Sequence, residues 1–226
     1  MTALKLDQVS KTRGSGRRAV AALREVSFQA NGGDIVLMEG PSGAGKTTML
    51  TVAAGLLTPD KGRIVLAGSA LSEMSAAERR AHRAREVGFV FQRANLLDGL
   101  TVRENILLAA ALARVDRRAA EEHADRLMAA IGIGDLRHRL PSELSGGEEH
   151  RVAVARALVH GPSVVFADEP TGNLDSVSGH AVAEALATLA HERNVCVIMA
   201  SHDARLRAFA TRRLWMEDGQ IREVSP

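Results

Sequence analysis

One stretch constrains this chain more than any other: Gly40-Pro41-Ser42-Gly43-Ala44-Gly45-Lys46-Thr47, followed by Thr48, fits G-x-x-x-x-G-K-[ST] at every fixed position. Ile35 to Met38 reads as a buried strand running into this loop, and Met49 to Leu57 as the apolar side of a helix leaving it. That order suits a polyphosphate. Its dense negative charge is met by backbone N–H groups and by the positive end of a helix, and the glycines let the backbone come close. Lys46 is expected to reach the terminal phosphates as a point charge, with the Thr47 hydroxyl as a ligand of Mg²⁺. The plain alternative, a glycine-rich turn with an incidental lysine, does not account for the strand before it and the helix after it. The loop leaves open which nucleotide machine it serves, because kinases, GTPases and transport ATPases all carry it.

Composition narrows the field. At 226 residues the chain is long enough for one large domain or one domain with a sizeable insertion, and 46% hydrophobic residues can fill a core. Its apolar runs, the longest near Ile35 and Val195, fall well short of the roughly 20 residues a spanning helix needs. Met1 to Gln8 alternates apolar and polar residues and lacks a signal-peptide core, so a cytosolic chain is expected, in keeping with a single cysteine, Cys196. No regulatory tail domain is expected after the last strands. The net charge is +2, so a pI of 9.1 reflects arginine within a nearly balanced total and argues little for nucleic acid. With no tyrosine and 3% aromatic residues there are few platforms on which bases could stack. The 8 histidines have no ligand spacing, so a metal cluster is set aside.

Before the loop, Leu4, Leu6 and Val9 alternate in one segment and Val26, Phe28 and Ala30 in another, separated by Gly14-Ser15-Gly16-Arg17-Arg18. This predicts an antiparallel β layer with a mobile basic loop, joined by Arg63 to Leu66. Ser72 to Arg85, poor in apolar residues, predicts a short exposed helix, either a solvated face or a contact for acidic headgroups or a partner. Val87 to Phe91 then returns as a strand ending on Gln92. Thr101 and Glu104 have capping-box spacing, and Asp116 caps a helix whose apolar face is Ala120, Ala124, Leu127, Met128 and Ile131. A further helix runs from about Gly147 to Val159 and is stopped by Gly161-Pro162. This helical block breaks the strand and helix alternation, as an inserted subdomain does. Alternation resumes with strand Val164 to Ala167, helix Ser178 to His191 and strand Val195 to Ala200, the pattern of a parallel sheet. Leu214 to Glu217, Asp218-Gly219 and Gln220 to Val224 predict a terminal hairpin.

Two further segments carry chemistry. Val164-Val165-Phe166-Ala167-Asp168-Glu169 is an apolar strand ending in two carboxylates, as a Walker B element does; Asp168 would hold Mg²⁺ and Glu169 would polarise an attacking water. Leu144-Ser145-Gly146-Gly147-Glu148 places two glycines in the first turn of a helix, at a cost of about 1 kcal/mol each relative to alanine. That cost makes sense where something approaches the backbone closely. A serine hydroxyl, free N–H groups and the positive helix end form a second phosphate site.

With these residues the chain resembles the nucleotide-binding subunits of ABC transporters over essentially its whole length. Gly40 to Thr48 looks like their Walker A, Gln92 their Q-loop, Leu144 to Glu148 their signature, Val164 to Glu169 their Walker B, Gly172-Asn173-Leu174-Asp175 their D-loop and His202 their H-loop. Asp168 to Asp175, with Leu71 to Arg85 and Gly88 to Gln92, is most similar to the lipoprotein-release, macrolide-export and cell-division branch. The resemblance implies an α/β P-loop NTPase core, mainly a parallel sheet, with an N-terminal antiparallel β layer and an inserted helical subdomain. The core would span 1–92 and 161–226, and the helical part 93–160. It further implies a head-to-tail homodimer in which Ser145, Gly146 and Gly147 of one chain cap ATP held by Lys46 of the other. Asp175 would signal across the dimer, His202 would contact the γ-phosphate, and Gln92 would link Mg²⁺ to a groove for the membrane subunit.

Two departures stand out. Arg13 occupies the approximate position of the aromatic residue that the family stacks on adenine, and a guanidinium plane can also stack on a base. Glu148 replaces a more usual glutamine, with Glu149-His150 after it. The expected function is an ATP-hydrolysing motor of an export, extraction or mechanotransmission complex on the cytoplasmic face of a membrane. The integral membrane subunits are expected to dock on an exposed leucine patch between Gln92 and Leu100. The alternatives are a soluble ABC ATPase acting on DNA or ribosomes, and a slowly hydrolysing signalling module.

Overall fold

The computed structural model describes residues 1–16, 19–172 and 174–224. Arg17 and Arg18 of the expected basic loop, and Asn173 of the D-loop, lie outside the described residues. Strand β1 (Thr2–Arg13) pairs antiparallel with β2 (Val20–Asn31), and the apolar residues read from sequence face each other: Leu4 opposite Ala30, Leu6 opposite Phe28, Val9 opposite Val26. β3 (Ile35–Glu39) leads through the glycine loop into helix α1 (Lys46–Ala53). The helix is shorter than the apolar run suggested. Gly55, at φ 67°, ends it, and Leu56 is left exposed. β4 (Lys61–Leu66) and β5 (Ser69–Ala70) complete a four-stranded sheet in the order β2-β1-β4-β5.

The segment predicted as one exposed helix is a short 3-10 turn, Leu71–Glu73, followed by α2 (Ala76–Glu86), because the Ser75 and Glu78 capping box starts the helix later. It is also less exposed in its chemistry than its charges suggest. His82 is buried against the Leu66 carbonyl, and Arg79 and Arg83 turn inward to the carbonyls of Met74 and Gly55. Two of its arginines are thus spent on the fold, which weakens the reading of this helix as a contact for acidic headgroups.

β6 (Val87–Val90) stops one residue short of the predicted strand. Three helices follow: α3 (Val102–Ala113), α4 (Arg117–Ala130) and α5 (Gly146–Leu158), capped by Thr101, Asp116 and Ser145. β7 (Val164–Asp168), α6 (Ser176–Arg193), β8 (Cys196–Ala200), β9 (Arg212–Glu217) and β10 (Gln220–Val224) finish the chain. The second sheet has the order β10-β9-β3-β8-β7-β6, parallel except for the β9-β10 hairpin. The hairpin turn is Asp218-Gly219, both at positive φ (47° and 76°), as a two-residue turn requires.

Side chains alternate across this sheet and divide the core in two. Val36, Met38, Phe166 and Ile198 pack with α1 and the antiparallel layer. Leu37, Val165, Val197 and Met199 pack with α6 and with the helical block, whose Ile106, Met128, Val154 and Leu158 belong to the same cluster. Cys196 is fully buried at the start of β8, and burial pushes its thiol up to about 12. Register positions the site: Met38 lies beside Ala200, and Ala200 beside Asp168, so the residues that leave β3, β8 and β7 emerge at one edge.

Candidate functional site

At that edge the glycine loop curls around its own lysine. Lys46 Nζ donates to the carbonyls of Gly40 at 2.6 Å and Pro41 at 2.9 Å, so the ammonium already stands inside the loop. Gly40 has φ 147° and lies so close to the Met216 carbonyl that no Cβ fits between them. The C-terminal hairpin braces the loop from outside: Gly219 N donates to Ala44 O at 3.1 Å, and Arg24 N to Gly219 O at 2.9 Å. Ser42, Gly43, Gly45, Lys46, Thr47 and Thr48 line a cleft of about 420 Å³ together with Arg13, Val20, Ala22, Gln92, Asp168 and Glu169. The catalytic and metal candidates in that list come from three separate segments of the sequence, Lys46-Thr47, Gln92 and Asp168-Glu169, and the sheet brings them to one place.

The Thr47 hydroxyl donates to Asp168 Oδ2 at 2.7 Å. Burial pushes the Asp168 carboxyl above its ordinary range, and the Glu169 charge adds to this, against the pull of Thr47 and Lys46. Glu169 follows with φ 53°, a left-handed conformation unusual for a side-chain-bearing residue and of the kind that clusters at functional sites. Its backbone N–H bonds the Ala200 carbonyl at 2.8 Å. Its carboxylate is held at both oxygens: Ser201 Oγ donates to Oε2 at 2.7 Å, and His202 Nδ1 lies 2.8 Å from Oε1. The general-base candidate and the H-loop histidine thus touch. Glu169 is nearly enclosed, at 15% side-chain exposure, whereas His202 is 82% exposed and open to a ligand.

Sequence reading missed the residues that hold this pair. Ser201 fixes Glu169, and Asp203 accepts from Thr171 Oγ1 at 2.7 Å, tying the segment after β8 to the one after β7. Hydrogen bonds from Arg205 hold the Asp203 carboxyl well below the usual carboxylate range. The Ser201-His202-Asp203 run carried a signal, three polar residues at the end of an apolar strand, but only the register shows what they bind. Glu39 was also passed over, although a carboxylate ending an all-apolar strand was visible.

The segment expected to form a second phosphate surface sits at the start of α5. Ser145 caps the helix; its N–H and hydroxyl both donate to Glu148 Oε2 at 2.8 Å, and these bonds hold the Glu148 carboxyl below its ordinary range. Glu148 therefore works on Ser145. A Cβ on Gly146 would meet nothing, so internal packing does not explain that glycine. Asp175 caps α6, accepting from the N–H groups of Val177 and Ser178. Arg151, on the signature helix, donates to Ser178 Oγ, so the two capped helix ends are joined. His150, fully buried one residue before, is driven toward the neutral form by burial.

The exposed leucine patch is only partly as expected. Leu96 packs against the core, and Leu97 alone is strongly exposed, at 48%. The backbone here is rigidly held: buried Asn105 bonds the Leu97 N–H at 2.8 Å and the carbonyls of Leu97, Leu100 and Thr101. Arg156 bonds the carbonyls of Ala94 and Asn95. Among the described residues no helix is long and apolar enough to cross a membrane.

The model of one protein family, described as ABC transporter, matches residues 23–172. The lipoprotein-releasing system ATP-binding protein LolD of Shewanella sp. (strain MR-4) is 37% identical over 222 residues, covering 98% of this chain and 96% of LolD. The bacitracin export ATP-binding protein BceA of Halalkalibacterium halodurans is 35% identical over 221 residues, covering 98% of this chain and 87% of BceA. Among solved structures, the dimeric post-hydrolysis state of the ATP-binding cassette MJ0796 bound to ADP and Pi superposes with a TM-score of 0.92. Its sequence identity is 31%, and 98% of each chain is covered.

Proposed function

The chain belongs to the ABC transporter family, and from that premise we propose how its residues divide the work. It is the ATP-binding and ATP-hydrolysing motor subunit of a transport complex. Gly40, Pro41, Ser42, Gly43, Ala44 and Gly45 wrap the phosphates with backbone N–H groups, and Lys46 exchanges its loop carbonyls for β- and γ-phosphate oxygens. Thr47, Asp168 and Gln92 offer a hydroxyl, a carboxylate and an amide to one cleft, an all-oxygen donor set that suits Mg²⁺. When bound, the ion supplies charge neutralisation on the phosphates. Glu169 takes a proton from the attacking water, and His202 orients that carboxylate while its exposed edge meets the γ-phosphate.

The observation that carries this reading is the convergence of Lys46, Thr47, Gln92, Asp168 and Glu169 on one cleft, with His202 bonded to Glu169. Phosphate release by the purified protein, compared with Glu169→Gln, tests it, and equal rates would overturn it. The signature of a second copy completes the site: Ser145, Gly146 and Gly147 cap the phosphates, Glu148 orients Ser145, and Asp175 meets the partner. Relatives in lipoprotein release and bacitracin export support export, extraction or transmitted force as the output, with the chain peripheral on the cytoplasmic face.

Arg13 and Val20 line the cleft, and the base is proposed to rest against them. A guanidinium over a ring contributes on the order of 1 kcal/mol. Arg13→Ala should therefore raise the nucleotide dissociation constant several-fold in a fluorescent-nucleotide titration, and Arg13→Tyr should restore it. Unchanged affinity in Arg13→Ala would remove Arg13 from the site.

The segment from Gln92 to Leu100 receives the integral membrane subunits. Leu97 projects from a backbone fixed by Asn105, so Leu97→Glu should leave folding and basal hydrolysis intact and release the membrane partner. A carboxylate buried there without a partner costs several kcal/mol. Co-purification of the complex from membranes is the measurement. Retention of the partner would take Leu97 out of the docking surface, and a lower Tm of the isolated variant would assign it to packing.

A further inference from the structure

β3 is apolar along its length until its last residue. Glu39 is 6% exposed, and by alternation it shares the sheet face on which Leu37 packs. Two guanidinium groups enclose its carboxylate. Arg207 donates to Oε1 from Nε at 2.9 Å and Nη2 at 2.7 Å, and Arg213 to Oε2 from Nε at 3.0 Å and Nη2 at 2.8 Å. Burial pushes the Glu39 carboxyl up, but the hydrogen bonds from Arg213 and Arg207 outweigh it and hold the group below its ordinary range. Stability does not account for this arrangement, since a buried ion pair is roughly matched by an apolar group of similar volume.

The two arginines do different things. Arg213 lies on β9, which already pairs with β3 in the sheet. Arg207 belongs to the short 3-10 turn Ala204–Ala208, which begins two residues after His202 and is capped by Asp203. The near end of that turn is fastened to the segment after β7, through Ser201 and His202 on Glu169 and through Asp203 on Thr171. Its far end is fastened by Arg207 to Glu39, the residue before Gly40, whose carbonyl accepts from Lys46.

We propose that Glu39 and Arg207 are positioning residues for hydrolysis: their ion pair fixes the turn just after His202 to the strand that opens into the phosphate loop. The separation between the His202-Glu169 pair and Lys46 is thereby set from both ends. The inference rests on the reading that His202 and Glu169 act at the γ-phosphate. A displacement of about 1 Å at a reacting centre can cost on the order of 100-fold in rate, so a tether of this kind acts on turnover rather than on binding.

The test is steady-state hydrolysis and thermal unfolding of the full chain. Arg207 is half exposed, and its removal leaves Glu39 paired with Arg213, so Arg207→Ala should fold. We expect kcat to fall about tenfold with KM for ATP and Tm unchanged, and Arg207→Lys, which keeps the charge, to recover part of the loss. Combined with His202→Ala, Arg207→Ala should add little, because both act through the same group. If His202→Ala lowers kcat while Arg207→Ala does not, or if the two losses multiply, the positioning role is overturned and the functional reading stands. If His202→Ala has no effect, that reading of His202 fails and takes the inference with it. A fall in activity that follows a fall in Tm, with Arg207→Lys no better than Arg207→Ala, gives a structural role and also overturns it.

Discussion

Glu169→Gln is expected to bind ATP normally and to lose at least about 100-fold in turnover, the usual worth of a positioned general base. The geometry makes the change a clean one. Glutamine keeps an oxygen for the Ser201 hydroxyl, now 2.7 Å from Glu169 Oε2, and its amide can face His202, so the left-handed backbone at this residue remains supported. What disappears is the capacity to accept a proton from water. On the proposed shared site, a chain that closes on ATP but cannot cleave it should accumulate as a dimer, because hydrolysis would be the step that reopens the pair. Size-exclusion chromatography with and without Mg-ATP reads this directly. A variant that hydrolyses normally and remains monomeric in ATP would remove both the base assignment and the shared site.

Gly40→Ala is expected to be the most damaging single-methyl change to the fold. A side chain is strained at φ 147°, and the added carbon would fall on the Met216 carbonyl, in a strand that β3 pairs as far as Trp215 and β10 pairs at Met216 itself. Strain and overpacking together should remove about 3 kcal/mol, read as a shift in the urea midpoint without a change in slope. Affinity for nucleotide should fall more than tenfold as well, because the Gly40 carbonyl is one of the two that locate Lys46. Gly68→Ala is the control. It also has positive φ, 76°, but a Cβ there meets nothing, so only the backbone term of about 1 kcal/mol should appear. Equal losses at the two positions would mean that close approach to β9 is not what glycine serves at 40.

The contrast between these glycines also shows where the sequence is informative. The strand, loop and helix order around Gly45-Lys46-Thr47, the Thr101 and Asp116 caps and the Asp218-Gly219 turn are legible because each is a rule about neighbours in the chain, and each forms as read. The helix after the loop was read too long because Leu56 and Leu57 continue an apolar pattern past a glycine that turns the backbone. Leu96 and Leu97 look alike in sequence, yet one packs inward and the other faces out, and only the clamp from Asn105 decides which. Arg79 and Arg83 read as surface charge until α2 folds back on carbonyls of earlier segments. Glu39, Arg207 and Arg213 lie far apart in the chain; their meeting depends on β9 and the turn after β8 flanking β3, which no local pattern encodes.

The position of the single cysteine gives the molecule a built-in clock. Cys196 sits between the central strands with no solvent contact, and a thiol pushed up to about 12 supplies almost no thiolate at neutral pH. An alkylating reagent can therefore mark the chain only after β8 leaves the sheet, and the labelling rate under native conditions counts such openings without any added probe. Because β8 pairs with both β3 and β7, separating it dismantles the glycine loop and the Asp168-Glu169 pair together. Bound nucleotide must then slow the clock by its own binding energy: ligand at about 100 times its dissociation constant suppresses labelling about 100-fold, roughly 2.7 kcal/mol. The burial of one sulfur thus turns a rate of chemical modification into an affinity, readable by mass on an untagged protein within its own complex.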